Sequence, residues 1–385
     1  MMFFMKYSIL VALIISFSQT FAISEFVIKP SISNGYSDNP YIFENKLNSL
    51  ITELNLKFNY TPDNSNFKLK SEFEKVFFLN YQNGNYIKSN IEANYSFQPF
   101  DYPYFDCSSG LKFFIRENDV QNSHLNNLMV SPYLDLILYS DIGVLRIGYN
   151  PYLRIFKDFV NLNSFNHSIY FEVEKVFPSE TGVFLSLNFR NTEYYSINQL
   201  NIIKRFENNN FMMPQIIVNH QNVNQFIYSN LSLSQSVDEN KHFGVSFGLT
   251  KHLSNHGVYY TSGNTDLIDE NNLFVDNNNF DEMSFGTFFK LKMDRNFEFE
   301  IDVSNFNRDF QFSEKLVDSV YNGNIKRKDY GYIFGVNLCY KSKFPTKSID
   351  FVNIDFGLDF ISNYSSTKNY SFETYYLKLL GSIGI

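Results

Sequence analysis

The chain of 385 residues has no tryptophan and only two cysteines, Cys107 and Cys339. So few cysteines in an exported chain do not make a disulfide-stapled fold. Sequence leaves open whether the two form one bridge. Beyond the N-terminal segment no stretch reaches the ~18 apolar residues of a spanning helix, which excludes a helical membrane protein. Basic residues are outnumbered, 32 Lys and Arg against 40 Asp and Glu, for a net charge of −8. That balance argues against nucleic acid as a partner. Linkers are missing too, with no Pro- or Ser-rich stretch and no block of like charge. Phosphate-cradling glycine loops, dinucleotide fingerprints and paired catalytic carboxylates are absent. The histidines at 124, 167, 220, 242 and 256 show no metal-ligand spacing. The Asp- and Asn-rich stretch at 268–280 lacks the spacing of a calcium loop and reads as a solvated acidic loop. No cofactor or metal is predicted.

What the chain does have is aromatic and alternating. It holds 44 Phe and 27 Tyr, residues that favour strands and, for Tyr, membrane interfaces. Residues 1–22 read as a cleavable signal peptide. Lys6 gives the positive start, Ser8–Phe17 a short apolar core, and Thr20-Phe21-Ala22 the small residues of a cleavage site. Residues 23–385 then read as one domain.

Period-two patterning runs through that domain. In Leu50–Tyr60 the residues Leu50, Thr52, Leu54, Leu56, Phe58 and Tyr60 oppose Ile51, Glu53, Asn55, Lys57 and Asn59. In Leu145–Ile155 an apolar face opposes Arg146, Gly148, Asn150, Tyr152 and Arg154. In Phe297–Val303 an apolar face opposes Glu298, Glu300 and Asp302. Such segments are half-buried strands. About 18 are legible, each long enough to cross a bilayer at a tilt, and 16 remain possible. The count of 18 requires Asn198–Phe206 and Phe211–Gln221 to be separate strands. Connections alternate in length. Short ones fall at Thr61–Asn66, Gln98–Asp106, Ser140–Gly143, Pro178–Gly182, Glu207–Asn210, Asp238–Lys241, Asp294–Asn296 and Pro345–Asp350. Long ones fall at Ser37–Leu47, Asn118–Asn127, His256–Asn279 and Gln311–Lys328. Short turns on one side and long loops on the other suit a transmembrane, antiparallel, up-and-down β-barrel. A soluble β-sandwich also alternates, but the strand number, the loop rhythm and a terminal strand running to the last residue count against it.

The two ends carry a resemblance. Tyr375, Leu377, Leu379, Gly381, Ile383 and Ile385 share one face of the last strand. That pattern resembles the C-terminal strand of outer-membrane β-barrel proteins recognised by the barrel-assembly machinery, with Ile385 where an aromatic is usual. Gly35-Tyr-Ser-Asp-Asn-Pro-Tyr41 is similar to the Gly-Tyr-Asp-x-Asn-Pro motif that opens many porin-like barrels. The resemblance implies a Gram-negative outer membrane, with its lipid and the assembly machinery as partners.

Three functions compete. The polar parity of the strands carries Arg116, Arg146, Arg154 and Arg190 in the first half, and Lys290, Lys292, Glu298, Glu300, Asp302, Asp355 and Asp359 in the last third. Charges of this number belong around water, in a lumen. They predict a porin-like channel for small hydrophilic solutes, with opposed charges setting a transverse field. The alternative reading of the same charges is cross-strand pairing that only stiffens the wall. The second function is a lipid-ester hydrolase. His252-Leu-Ser254-Asn255 resembles the His-x-Ser-Asn motif of outer-membrane phospholipase A and lipid A deacylases, which implies His252 as base and Ser254 as nucleophile. Their parity, however, is that of Gly244, Ser246, Gly248 and Thr250, which points into the lumen. The third is surface interaction or polymer export through the long loops. A TonB-coupled transporter has no room for its plug and ~22 strands.

Overall fold

The computed structural model describes residues 24–37, 49–62, 65–80, 85–99, 104–119, 126–157, 163–194, 215–218, 223–253, 258–261, 280–313, 326–346, 349–366 and 371–384. The predicted signal peptide lies outside them. Every element among the described residues is a strand. In chain order they are β1 (Ser24–Ser37), β2 (Ser49–Pro62), β3 (Phe67–Phe78), β4 (Tyr86–Phe97), β5 (Phe105–Asn118), β6 (Asn127–Ser140), β7 (Gly143–Tyr149), β8 (Tyr152–Phe156), β9 (Ser164–Val176), β10 (Thr181–Tyr194), β11 (Gln215–Val218), β12 (Val223–Asp238), β13 (Lys241–His252), β14 (Val258–Thr261), β15 (Phe280–Lys292), β16 (Phe297–Ser313), β17 (Lys326–Thr346), β18 (Ile349–Ser365) and β19 (Phe372–Gly384).

Each wall strand pairs antiparallel with its sequence neighbours, and β1 closes the circle on β19 through Ser31↔Leu380 to Ser37↔Thr374. β7 and β8 occupy one position, since both lie between β6 and β9. The wall therefore has sixteen staves. This settles the count at the lower of the two values legible in sequence. Asn198–Phe206 lies outside the described residues. Within Phe211–Gln221, Gln215–Val218 pairs with β14 in a separate two-stranded sheet. β10 pairs directly with β9 on one edge and with β12 on the other, so the wall counts no strand between β10 and β12. Two adjacent strands leave the count together, so strand direction is preserved and the short/long rhythm survives. The wall strands are joined at one end by residues 63–66, 98–104, 141–142, 177–180, 239–240, 293–296 and 347–348. We call this the turn end, and the other the loop end.

The turns follow local chemistry. Gly143, at φ +143°, supplies a conformation that L side chains rarely adopt. Asp238 accepts from Lys241 Nζ at 2.9 Å and the Asn240 N–H at 2.8 Å, and these hold its carboxyl below the ordinary range. The break between β7 and β8 is subtler. Tyr149↔Leu134 and Leu153↔Val130 keep one register across it. That register sets Pro151 opposite Pro132, with neither holding an N–H to exchange. Ser131 Oγ instead donates to the Pro151 carbonyl at 3.0 Å and to Asn150 Oδ1 at 2.5 Å. The stave is continuous and lacks only ladder bonds.

Alternation divides the wall into two faces. The outer face leaves Leu54, Ile91, Phe113, Ile147, Leu231, Phe247, Phe285, Phe356 and Leu377 exposed, and they come from staves all round the barrel. In water such exposure costs roughly 25 cal/mol per Å²; against lipid tails it costs nothing. A closed barrel also leaves no strand edge unpaired. An apolar outside on a closed wall is the architecture of a membrane-spanning barrel.

Candidate functional site

The inner face is polar and graded along the axis. At the loop end, inward side chains are buried: Asn166 and Asn224 are 0 % exposed, Phe226 1 % and Arg116 2 %. Nearer the turns they open, with the side chains of Lys57 and Arg146 more than two-fifths exposed. The interior thus narrows toward the loop end.

Four basic residues line one wall of the narrow part: Lys88 on β4, Arg116 on β5, Arg154 on β8 and Arg190 on β10. Lys88 and Arg116 are direct cross-strand neighbours. Aromatic faces hold these cations. The Arg116 guanidinium lies 3.9 Å from the Tyr86 ring centre, and Lys88 Nζ lies 4.9 Å from the same ring. Arg154 lies 5.6 Å from Tyr152, and Arg190 sits 5.3–5.9 Å from Phe226, Tyr228 and Tyr152. Arg308, farther round on β16, is set between Phe280 at 4.8 Å and Phe306 at 4.4 Å. Its Nε donates to Glu282 at 2.6 Å. A guanidinium stacked on a ring keeps its in-plane N–H groups for other partners. That reconciles a permanent charge with so little exposure. Uncharged groups fill the gaps, as where Asn166 donates to Thr192 at 2.5 Å.

Other predicted residues are placed differently. Arg146 lies toward the turn end and pairs with Glu172 at 3.3 Å. Glu298 sits between Lys290 at 2.9 Å and Lys341 at 3.2 Å, and Glu300 meets Lys290 at 3.3 Å. Lys292 stands opposite Glu298 in register. Asp359 pairs with Lys378. Asp302 and Asp359 flank Gly335 in register, and Asp355 stands opposite Cys339. Around the wall, β5 and β16 are eight staves apart, as are the β8 position and β18. Arg116 and Arg154 therefore oppose the acidic staves. They are offset along the axis, however, with the arginines toward the loops and the acids toward the turns. The acidic wall is also largely compensated by its own lysines.

Sequence reasoning passed over Arg308, Glu282 and the inward aromatics other than Tyr152. Their parity was available: Phe280 and Glu282 share it with Lys290, and Phe306 and Arg308 share it with Glu298. The assumption that large apolar residues face lipid concealed them. Glycines make room for this inner aromatic set. A Cβ on Gly148 would lie 2.1–2.5 Å from the Tyr170 ring and hydroxyl, and one on Gly110 would lie 2.5 Å from Tyr133.

His252 faces inward, 5 % exposed, with its ring centre 6.4 Å from that of Phe226. Ser254 lies outside the described residues, as does the acidic stretch 268–279. His167 bonds Tyr149 Oη at 2.7 Å and His242 bonds Ser236 Oγ at 2.7 Å. Among the described residues no three His, Cys, Asp or Glu side chains group to hold a metal. Cys107 and Cys339 are both free, on staves too far apart round the barrel for a bridge. Of the terminal set, Tyr375, Leu377 and Leu379 stand exposed on the outer face and Gly381 is half-buried in β19. Ile383 pairs with Val352 and Ile28. Ile385 lies outside the described residues.

No family model matches the chain, and no curated protein matches its sequence. Among solved structures it is similar to OccAB3 of Acinetobacter baumannii, at 11% identity and a TM-score of 0.48, covering 94% of this chain and 100% of that one. It is similar to Pseudomonas aeruginosa OccK2 (OpdF) in complex with glucuronate, at 8% identity and 0.49, covering 94% and 98%. It is also similar to the outer membrane protein opdK from Pseudomonas aeruginosa, at 10% identity and 0.46, covering 94% and 99%. These values assign neither a family nor a solute.

Proposed function

We propose that the chain is a porin-like channel of a Gram-negative outer membrane that passes small hydrophilic solutes through a charged lumen. One observation carries the reading: a closed sixteen-stave wall is apolar outside and charged inside. A dry interior would not tolerate Lys57, Glu72, Lys70, Glu92, Arg146 and Glu172 at their observed exposures. Barrels of this size leave an aqueous channel. The narrow, arginine-lined loop end is where solutes would be sorted, because fields act most strongly where the path is tightest.

The rest of the reading follows from address. Residues 1–22 would be removed on export, and residues 23–385 would insert as one domain. The terminal face from Tyr375 to Ile385 would be the segment read by the barrel-assembly machinery, with lipid on the outer face. No enzymatic step is assigned. A lipid hydrolase needs its base on the lipid face, and His252 is on the other one.

The test is single-channel recording of refolded, detergent-purified protein in a planar bilayer, with ion selectivity from the reversal potential. Stable conductance steps are the expected result. Silence from protein shown to be folded would overturn the reading.

A further inference from the structure

Two inward tyrosines lie flat against the wall, each over a glycine on a neighbouring stave. Tyr133 on β6 covers Gly110 on β5, and Tyr170 on β9 covers Gly148 on β7. They are held very differently. Tyr133 is 8 % exposed. Its hydroxyl donates to Glu92 at 2.8 Å and accepts from Asn94 Nδ2 at 2.5 Å, and Lys112 Nζ lies 4.7 Å from its ring centre. Tyr170 is only half-buried, and among the described residues its hydroxyl makes one bond, donated to Asp135 on β6.

Asp135 stands on the far side of Gly148 from Tyr170, so the ring reaches over a whole stave to meet it. Among the described residues Asp135 forms no ion pair. Arg146, on the same stave as Gly148, is taken by Glu172 at 3.3 Å. The tyrosine hydroxyl is therefore what answers this carboxylate. A bond to a charged oxygen is stronger than a neutral one, yet here it stands alone.

Tyr170 also has room to move. It lies midway along β9, between buried Asn166 on the loop side and Glu172 on the turn side. Two staggered side-chain positions are common for a strand residue. One lays the ring over Gly148, and the other carries it off the wall toward the lumen. Where two discrete positions compete, a single bond sets their populations.

We propose that Tyr170 is a latched gate. Bonded to Asp135, its ring lies in the wall and the lumen is fully open. Released, the ring swings out below the narrow loop end and lowers the current without sealing the barrel. Tyr133, with its three contacts, stays in place. This rests on the channel reading. It adds a movable element at one place in the lumen.

The test is single-channel recording at fixed voltage, scored as the fraction of time spent in a lower-current level and normalised to each variant's own open current. Tyr170→Phe keeps the ring and removes the latch, and Asp135→Ala removes its acceptor. Each should raise that fraction at least tenfold, and the two effects should not add, because both cut the same bond. Tyr170→Ala removes the ring and should abolish the level. A tyrosine that only supports the wall predicts the reverse, a quiet phenylalanine and a noisy alanine. If Tyr170→Phe and Asp135→Ala are as quiet as wild type, or the lower level persists in Tyr170→Ala, the gate is overturned and the channel is spared. Packing over glycine would then suffice to hold the ring, as it does for Phe288 over Gly244. Folded protein that carries no current overturns the channel reading by itself. Fluorine NMR of protein labelled with 3-fluorotyrosine then decides the latch. The Tyr170 line, assigned by its loss in Tyr170→Phe, should split or broaden in Asp135→Ala, and an unchanged line overturns the latch.

Discussion

Gly148→Ala probes how the inner wall is packed. The added Cβ would lie 2.1 Å from Tyr170 Cζ, 2.3 Å from Cε1 and 2.5 Å from Oη. Carbon atoms rest at ~3.5–4.0 Å, so the ring must move by more than an ångström. That movement takes the Tyr170 hydroxyl off Asp135, to which it donates. Overpacking of this kind costs about 1–3 kcal/mol, and loss of a hydrogen bond to a charged group costs about 1.5–3 kcal/mol. The ring can swing toward the open lumen, which relieves part of the clash. We therefore expect a loss of about 2–4 kcal/mol. Urea unfolding in lipid vesicles, followed by circular dichroism and by the gel shift of the folded barrel, measures it. Tyr170→Ala and the double variant complete a cycle. The alanine at 148 should cost little once the ring is gone, giving a coupling of about 1–3 kcal/mol. A loss below about 0.5 kcal/mol, or strictly additive effects, would refute the claim that Gly148 exists to seat Tyr170.

Arg308→Lys keeps the charge but loses the planar stack between Phe280 and Phe306, and should lower stability by about 1–2 kcal/mol in the same unfolding assay. Replacing Arg116, Arg154 and Arg190 together with Gln should move the reversal potential toward cation preference. Asp302→Asn with Asp359→Asn should move it the opposite way and by less, since those acids sit in the wider half. Leu231→Arg puts a charge on the lipid face and should cost about 2–4 kcal/mol, whereas Asn230→Arg, one residue away and inward, should cost far less and appear instead in the selectivity.

The faces of the strands were legible because period two is local. Leu54 against Asn55, or Phe299 against Glu300, needs no partner to be read. The loop rhythm was legible for a related reason, since polar turn residues interrupt the alternation wherever the chain reverses. His252 was likewise assigned its inward face from its neighbours' parity alone. The stave count was not fixed in the same way. Gln215–Val218 looks like a strand and is one, yet it pairs with Val258–Thr261 rather than joining the wall. A segment's own pattern cannot say which edge is already occupied.

By itself, then, the chain determined alternation, and with it an all-β wall with one apolar and one charged side. The tertiary structure decided everything that depends on partners across strands. It set Pro151 against Pro132 in an unbroken register, and it stacked Arg116 on Tyr86 and Arg308 between two phenylalanines. It also showed that the acids of β16 and β18 largely answer to lysines beside them rather than to arginines across the lumen. Those contacts join residues from two to 43 positions apart, most of them across neighbouring strands, and only strand pairing fixes which inward side chains come within reach of one another.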